Sequence, residues 1–492
     1  MLTRRGFLGG SLAAFACGRA PLVRTKQPTI THGVQSGDPQ TGRAIVWARC
    51  DEPARMLVEW DTTARFDHPR RVIGPIVAVE RGLSGTVVLD RLPDAQTIAY
   101  RVRFEREAAR GASAWVAGRF ATPRPDRVRV AWTGDTCGQG YGRNPEWGGL
   151  KGFSAIRATS PDVFVNSGDL IYADNPIVAD KRLADGRVWR NLTNERVARV
   201  AESLDDFRAR FAYNFEDDHL RALAADVPVI AQWDDHETRN NWWPGQRFDD
   251  ERYARVRDAS LLASHALTAT REWTPIGGET IYRAIDYGPL LDVFVLDCRS
   301  YRSPNVASLD DAAMLGDRQL RWLADALVAS TKRWKLIACD QPIALVIEDD
   351  DRFEGFANRD PGAPRGRELE LARFLEITKA VRNVAWITAD VHYAAAHHFD
   401  PARAARDLEF AAFWEFVAGP IHAGNFGPNE LDPTFGPEVR FRFGTPPVGA
   451  DTGPWDGLQS FGTLDVTRDA LAVALWNIDG REQYRVEIPY VA

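Results

Sequence analysis

Four short segments of this 492-residue chain place acidic, phenolic, thiol and imidazole side chains directly after apolar, strand-like runs. In chain order they are Gly134-Asp135-Thr136-Cys137-Gly138, Asn166-Ser167-Gly168-Asp169-Leu170-Ile171-Tyr172, Trp233-Asp234-Asp235-His236-Glu237 and Thr388-Ala389-Asp390-Val391-His392-Tyr393. Taken singly, each segment also fits an ordinary role, such as an Asp in a turn or helix cap, or a packed Cys or Tyr.

The side-chain types suit metal ions. Asp135 and Cys137 lie two residues apart where a strand ends, so both can point at one cation, and oxygen with thiolate suits a borderline or trivalent transition ion. The phenolate of Tyr172 prefers a hard trivalent ion, because only high charge density overcomes a pKa of about 10. Asp390 and His392 face the same side of an extended segment. Together the segments supply enough anionic oxygen for two cations that share a carboxylate, an arrangement used for in-line displacement at phosphorus.

These segments need a scaffold that brings strand ends together. From about residue 127, strand-like runs alternate with helical stretches, for example Glu195–Phe211 and Asp317–Ser330, which predicts a layered α/β domain with ligands at the carboxyl ends of its strands. Residues 28–122 alternate apolar and polar side chains in short runs and predict a fibronectin-like β-sandwich. We therefore expect a leader (1–27), a β-sandwich (28–122) and an α/β domain that includes the C-terminal strands (127–492).

Charge and cysteine content exclude some functions. The formal net charge is −7 and no long Lys/Arg run occurs, so we expect no stable nucleic-acid partner. The five cysteines are widely spaced and form no CxxC pair, so a disulfide framework does not organise the fold, although a single pair stays open. We expect a monomer.

The leader has the features of an export signal. Thr3-Arg4-Arg5-Gly6-Phe7-Leu8 places twin arginines before an apolar stretch that is too short to span a bilayer. It resembles the twin-arginine signal, which moves folded proteins across the bacterial inner membrane, and so implies the twin-arginine export machinery as a partner and a periplasmic or secreted location. Ala14-Phe15-Ala16-Cys17 leaves a lipid anchor on Cys17 as an alternative.

The order Asp-x-Cys, Gly-Asp-x-x-Tyr, Asp-Asp-His-Glu and Asp-x-His resembles the calcineurin-like metallophosphoesterases, and more narrowly the alkaline phosphatase D (PhoD-like) family. Gly-Asp-x-x-Tyr is also similar to a motif of purple acid phosphatases. The resemblance covers most of the chain and implies that residues 127–492 form a metallophosphoesterase catalytic domain. It implies an iron(III) surrounded by Asp135, Cys137, Asp169, Tyr172 and His392. It also implies one or two divalent ions, commonly calcium in this family, held by Asp169, Asp235 and Asp390.

Three ligand positions depart from general phosphoesterases. This chain has Cys137, Asp235 and Asp390 where those enzymes carry His, Asn and His. Exchanging imidazole for carboxylate shifts the preference from zinc or manganese towards the harder calcium ion.

The resemblance implies hydrolysis of a phosphate ester by a metal-bound hydroxide, with His236 near the leaving group as an acid or electrostatic partner. Arg239 and Asn240, which follow the third segment, and Arg299, at another strand end, are candidate substrate contacts. A phosphodiesterase or phospholipase D-type activity on the same site is an alternative. Further alternatives are a serine esterase, for which a G-x-S-x-G elbow is missing, and a surface binding protein with structural metals.

Overall fold

The computed structural model describes residues 26–107, 111–305, 309–310, 312–350, 352–405, 408–447 and 450–492. The predicted leader, except for its last two residues, and the predicted anchor at Cys17 lie outside this part of the chain. Within it, no helix combines the length and the apolar character needed to cross a bilayer.

Strands make up most of the regular structure. The N-terminal part contains β1 (Ile30–Gln40), β2 (Arg43–Cys50), β3 (Ala54–Asp61), β4 (Arg70–Val77), β5 (Ser84–Asp90), β6 (Thr97–Glu105) and β7 (Val116–Ala121). The later strands are β8 (Arg127–Thr133), β9 (Val163–Asn166), β10 (Asp180–Arg182), β11 (Val188–Arg190), β12 (Val229–Ala231), β13 (Arg283–Tyr287), β14 (Leu291–Val295), β15 (Trp334–Ala338), β16 (Glu348–Asp349), β17 (Arg352–Phe353), β18 (Val384–Thr388), β19 (Ala394–Phe399), β20 (Phe413–Val417), β21 (Pro437–Phe443), β22 (Ser460–Thr467), β23 (Ala470–Asn477) and β24 (Glu482–Pro489).

The helices all follow the N-terminal strands. They are α1 (Gly152–Ala158), α2 (Leu204–Phe215), α3 (Asp218–Asp226), α4 (Ala259–Trp273), α5 (Gly316–Ala329) and α6 (Glu368–Ile377). Short 3₁₀ turns occur at Val79–Arg81, Gly138–Gly140, Pro401–Arg403 and Pro454–Asp456.

Two large sheets face each other. One has nine strands in the order β24-β23-β22-β8-β9-β12-β1-β2-β5, and the other has seven in the order β13-β14-β15-β18-β20-β19-β21. Buried side chains from both sheets fill the space between them, for example Val130 and Val165 from the first and Val293 and Ile387 from the second. Helices α1–α4 cover the outer face of the nine-stranded sheet, and α5 and α6 cover that of the seven-stranded sheet. These four layers confirm the predicted layered α/β architecture.

The predicted N-terminal β-sandwich is present, and one of its sheets extends into the rest of the molecule. Strands β4-β3-β6-β7 form a separate four-stranded sheet that packs on β1, β2 and β5 through a core that includes Val46, Trp60 and Tyr100. Strand β1 also pairs in parallel with β12, with Gly37 opposite Val229. A Cβ on Gly37 would lie 2.5 Å from the Val229 carbonyl oxygen, so glycine permits this close approach. The sandwich and the α/β region therefore share one continuous sheet.

Helix α2 begins later than the predicted stretch Glu195–Phe211. The Ser203 side chain accepts a hydrogen bond from the Asp206 N–H, and the Asp206 carboxylate accepts one from the Ser203 N–H. This capping box starts the helix at residue 204, because it satisfies backbone groups that the first turn cannot pair. The stretch predicted at Asp317–Ser330 matches α5 to within one residue at each end.

The carboxyl ends of the parallel strands meet at one end of the double layer. Strands β8, β9 and β12 run parallel in the first sheet, and β14, β15, β18 and β20 run parallel in the second. Just after β12, the Gln232 side chain donates hydrogen bonds to the carbonyls of Leu296 and Ala338, where β14 and β15 end. The four segments follow β8, β9, β12 and β18, so the fold gathers them at this end.

Candidate metal centre

The loops that carry the candidate ligands have an unusual backbone. Asp135, Asp169, Asp390 and His392 have φ values of 68°, 49°, 66° and 61°. Such left-handed conformations cost about 1–3 kcal/mol each in non-glycine residues and persist where the surroundings impose them, commonly at functional sites. The strand exits therefore hold these four side chains in orientations that a relaxed loop would not favour.

One set of side chains forms what we name the first ligand group: Asp135, Asp169 and His392, whose ligand atoms all lie within 4.8 Å of one another. His392 Nδ1 donates to the Gly424 carbonyl at 2.5 Å, which leaves the Nε2 lone pair for the site. Nε2 lies 3.5 Å from Asp135 Oδ1 and 2.7 Å from the Tyr172 hydroxyl. Burial lowers the pKa of His392 to about 3, so its imidazole is neutral and able to ligate.

The second ligand group consists of Asp234, Asp235 and Asp390, also within 4.8 Å of one another. Asp169 and Asp235 form a further close set with His236, so Asp169 lies between the two groups and can bridge them. Its carboxylate accepts a hydrogen bond of 3.1 Å from the His236 backbone N–H. The shared carboxylate that the sequence predicted is therefore geometrically available.

The electrostatics of the site favour bound cations. Burial, followed by the neighbouring carboxylates, raises the pKa of Asp135 and of Asp390 well above the ordinary value. Both carboxylate oxygens of Asp135 and one of Asp235 are buried without a hydrogen-bond partner. Because buried anionic oxygens are costly unless they are paired or ligate a metal, this donor set fits metal ions.

Cys137 is not brought together with these residues. It is buried and packs in the hydrophobic cluster that contains Leu150, Phe153 and Tyr213, and burial raises the pKa of its thiol. Among the described residues, no set of close ligand atoms contains its sulfur. Side chains two residues apart point to the same side only where the backbone is extended. Here both Asp135 and Cys137 have positive φ, and the chain turns between them.

His236 is oriented by a residue that the sequence argument missed. Its Nδ1 lies 2.7 Å from Asp174 Oδ1, its ring stacks on Tyr172 with centroids 4.2 Å apart, and its Nε2 lies 4.0 Å from Asp235 Oδ2. Burial lowers the pKa of His236, but the carboxylates of Asp174, Asp235 and Asp169 outweigh it and raise the pKa well above its usual value. The imidazole is thus held by one nitrogen and presents the other towards the carboxylates of the site.

Arg299 does not lie where a substrate contact requires it. Its side chain is 0% exposed beneath the second ligand group, and its Nε donates to Asp234 Oδ1 at 2.6 Å. Another guanidinium nitrogen pairs with Glu354, and Nη2 is 3.7 Å from both Asp235 and Asp390. Arg299 thus lies beside the site as a buried counter-ion, and its role as a substrate contact stays a prediction that this burial does not support.

Two more acidic residues support the centre. Glu237 joins the second and third segments, because its carboxylate accepts hydrogen bonds from the backbone N–H groups of Leu170, at 2.5 Å, and Asp234, at 2.7 Å. Burial raises the pKa of Glu237 to about 8. Glu237 belongs to the third candidate segment of the sequence. Glu354 follows the distant β16–β17 hairpin, and no residue pattern around it predicts a place at the site.

The centre opens into a cavity of about 560 Å³. The lining includes Asp169, Asp235, His236, Asp390 and His392, together with the predicted substrate contacts Arg239 and Asn240. The Arg239 guanidinium lies 4.2 Å from the Phe248 ring centroid and donates to Gln246, its Nε has no hydrogen-bond partner, and within the described residues no carboxylate lies within ion-pair distance of it. A cationic side chain without an anionic partner is thus available to an anionic ligand.

Comparisons with known proteins agree with this arrangement. The family described as PhoD-like phosphatase matches residues 130–469, and that described as PhoD-like phosphatase, N-terminal domain, matches residues 16–124. Alkaline phosphatase D of Bacillus subtilis (strain 168) is 26% identical over 462 residues, which cover 85% of this chain and 73% of that protein.

Two solved structures share the fold. One, described as the structure of PhoD, has a TM-score of 0.69 at 18% identity and covers 96% of this chain and 94% of its own. The purple acid phosphatase PPD1 from yellow lupin (Lupinus luteus) seeds has a TM-score of 0.60 at 13% identity. The match covers 94% of this chain and 74% of that one. Since the family match spans more than half of the chain and its acidic and histidine side chains converge at one sheet end, this protein belongs to the PhoD-like phosphatases and is a phosphoric ester hydrolase.

Proposed function

We propose that this chain is an exported, metal-dependent phosphatase that hydrolyses phosphate esters in the cavity beside the two ligand groups. The observation that carries the proposal is a set of buried carboxylate oxygens without a hydrogen-bond partner. They belong to Asp235, which lines the cavity, and to Asp135, which lies beside the lining residues Asp169 and His392. Cations bound there would generate a nucleophile from water at neutral pH and offset the charge on the phosphoryl oxygens.

The donor atoms favour two kinds of cation. Asp135, Asp169, Tyr172 and His392 combine carboxylates with a phenol and a neutral imidazole, which supports iron(III) at the first ligand group. Carboxylates alone make up the second ligand group, which supports calcium. The role of Cys137 as a thiolate ligand stays a prediction that its buried packing does not support.

His236 is the proposed proton donor to the leaving group. Asp174 holds Nδ1 at 2.7 Å and also accepts a hydrogen bond from the Asn240 N–H at 2.9 Å, so its position is fixed from two sides. The imidazole therefore has a defined orientation with Nε2 free to donate. A positioned acid of this kind contributes about 10²- to 10⁴-fold to the rate.

Arg239 and Asn240 are the proposed contacts for the substrate. Both line the cavity together with His236. Arg239 can donate charge-assisted hydrogen bonds to phosphoryl oxygens because its guanidinium is not paired with a carboxylate of the described residues. The cavity of about 560 Å³ also has room for a second ester substituent on the phosphorus, which favours a phosphodiesterase activity as the second candidate. Comparing p-nitrophenyl phosphate with bis(p-nitrophenyl) phosphate as substrates separates the two activities.

Metal removal tests the proposal. Dialysis against a chelator should abolish hydrolysis of p-nitrophenyl phosphate, and iron(III) with calcium should restore it. Elemental analysis and a visible tyrosinate-to-iron band should report the ions themselves.

Asp169→Asn should lose metal and activity together, because Asp169 lies between both ligand groups. Asp94→Asn, an exposed position between β5 and β6, is the matched control. Full activity of metal-free protein would refute the proposal.

Export rests on the leader. We propose that Arg4 and Arg5 direct the folded protein to the twin-arginine machinery. Replacing both by lysine should retain the enzyme in the cytoplasm of a bacterium that has this pathway. Unchanged activity in the periplasmic fraction would overturn this part of the proposal.

A further inference from the structure

The cavity lining includes three apolar side chains. Phe426 lines it together with Ile347 and Val391, and Phe426 leaves 49% of its surface exposed. Its ring packs against the His392 imidazole, with centroids 4.8 Å apart and an interplanar angle of 34°. Since part of the ring is covered by His392, the exposed part is the area that a ligand in the cavity can cover.

The segment that carries Phe426 is held firmly. Before it, the Asn425 side chain donates to the carbonyls of His392, at 2.9 Å, and Leu458, at 3.1 Å. After it, the Asn429 side chain donates to the Val346 carbonyl at 2.9 Å. An aromatic residue whose chain neighbours are held in this way provides contact area at little cost in conformational entropy.

The cavity lining combines polar and apolar side chains. Arg239, Asn240 and Asn241 contribute polar groups to the lining, while the ring of Phe426 lies beside the first ligand group through its contact with His392. The Tyr172 ring contacts both His236, with centroids 4.2 Å apart, and His392, with centroids 6.2 Å apart, and His392 in turn contacts Phe426. An aryl group on a leaving-group oxygen beside His236 therefore lies within reach of the Phe426 ring. Aromatic rings stack favourably in offset or tilted arrangements.

We propose that Phe426 is a specificity-determining residue that stacks on a flat aromatic group borne by the substrate, so that the site prefers aryl-bearing phosphate esters to small alkyl phosphates. This inference rests on the proposed function, because it concerns the same cavity. It adds a substrate class that neither the ligand groups nor His236 specifies.

The test is a binding experiment that does not depend on turnover. Isothermal titration calorimetry on the metal-loaded protein should show that phenylphosphonate binds about tenfold more tightly than methylphosphonate, a ratio typical of one aromatic contact. In Phe426→Ala the preference for phenylphosphonate over methylphosphonate should fall to about threefold or less, while the affinity for methylphosphonate stays unchanged. Phe426→Leu, which keeps an apolar contact with His392, should give an intermediate ratio.

The control is Ile73→Ala, which removes an apolar side chain that is 67% exposed on β4 in the N-terminal sandwich. It should leave the ratio at the wild-type value. A wild-type ratio near one, or an unchanged ratio in both Phe426 variants, would overturn the inference. Absence of hydrolysis with a normal phenylphosphonate preference would contradict the proposed function and leave the role of Phe426 standing.

Discussion

Replacing His236 by asparagine should slow hydrolysis in a way that depends on the leaving group. The imidazole Nε2 presents a proton towards the site while Nδ1 is held at 2.7 Å by Asp174. Asparagine can keep a hydrogen bond to Asp174, but it cannot deliver a proton to a departing alkoxide. A general acid contributes about 10²- to 10⁴-fold, which corresponds to roughly 3–5 kcal/mol of transition-state stabilisation.

The size of the loss should follow the basicity of the departing group. An alkyl phosphate such as ethyl phosphate releases a strongly basic alkoxide and needs the proton, so its kcat/KM should fall by about 10²- to 10⁴-fold. For p-nitrophenyl phosphate the departing anion is already stable, and we expect a loss of about tenfold or less. Each substrate is compared between His236→Asn and the wild type, so differences in binding of the two substrates cancel.

The metal content of the variant distinguishes a proton-donor role of His236 from a role as metal ligand. His236 lies close to Asp169 and Asp235, so a structural role in holding a cation would also reduce activity. Elemental analysis of His236→Asn should therefore match the wild type. Equal losses for both substrates, or loss of metal along with activity, would refute the assignment of His236 as the acid. Asp174→Asn should reproduce the same leaving-group dependence in weaker form, because it loosens the orientation of the ring and removes one carboxylate that raises the pKa of His236, while the imidazole itself remains.

Arg299→Met should destabilise the fold by about 3–5 kcal/mol in urea unfolding, because it leaves the buried Asp234 without its cationic partner. If Arg299 contacted substrate instead, the variant would show normal stability and an altered KM. Arg239→Gln should raise KM by about tenfold with little change in kcat, since a contact made equally to substrate and transition state affects binding alone. Arg190→Gln, at an exposed strand end, is its control, and an unchanged KM for Arg239→Gln would remove this residue from the substrate contacts.

Sequence alone determined the features that are local in the chain. The order of the four segments, the strand before each, and the alternation that predicts a layered α/β region all depend on residue types within a few positions of one another. The carboxyl ends of neighbouring parallel strands lie together in a sheet, so the pattern accounts for the approach of Asp169 and Asp235, which follow β9 and β12. Asp390 follows β18 of the other sheet, so its approach depends on how the two sheets pack.

Tertiary structure decided where individual side chains point and how deeply they lie. Positive φ at Asp135 and Cys137 separates two side chains that the spacing aimed at one ion. Arg299 is buried because carboxylates from other strand ends and Glu354 from a distant hairpin surround it. The close approach of β1 to β12 and the pairing of His236 with Asp174 likewise join residues far apart in sequence. Such contacts arise from packing between elements, and no local pattern of residues encodes them.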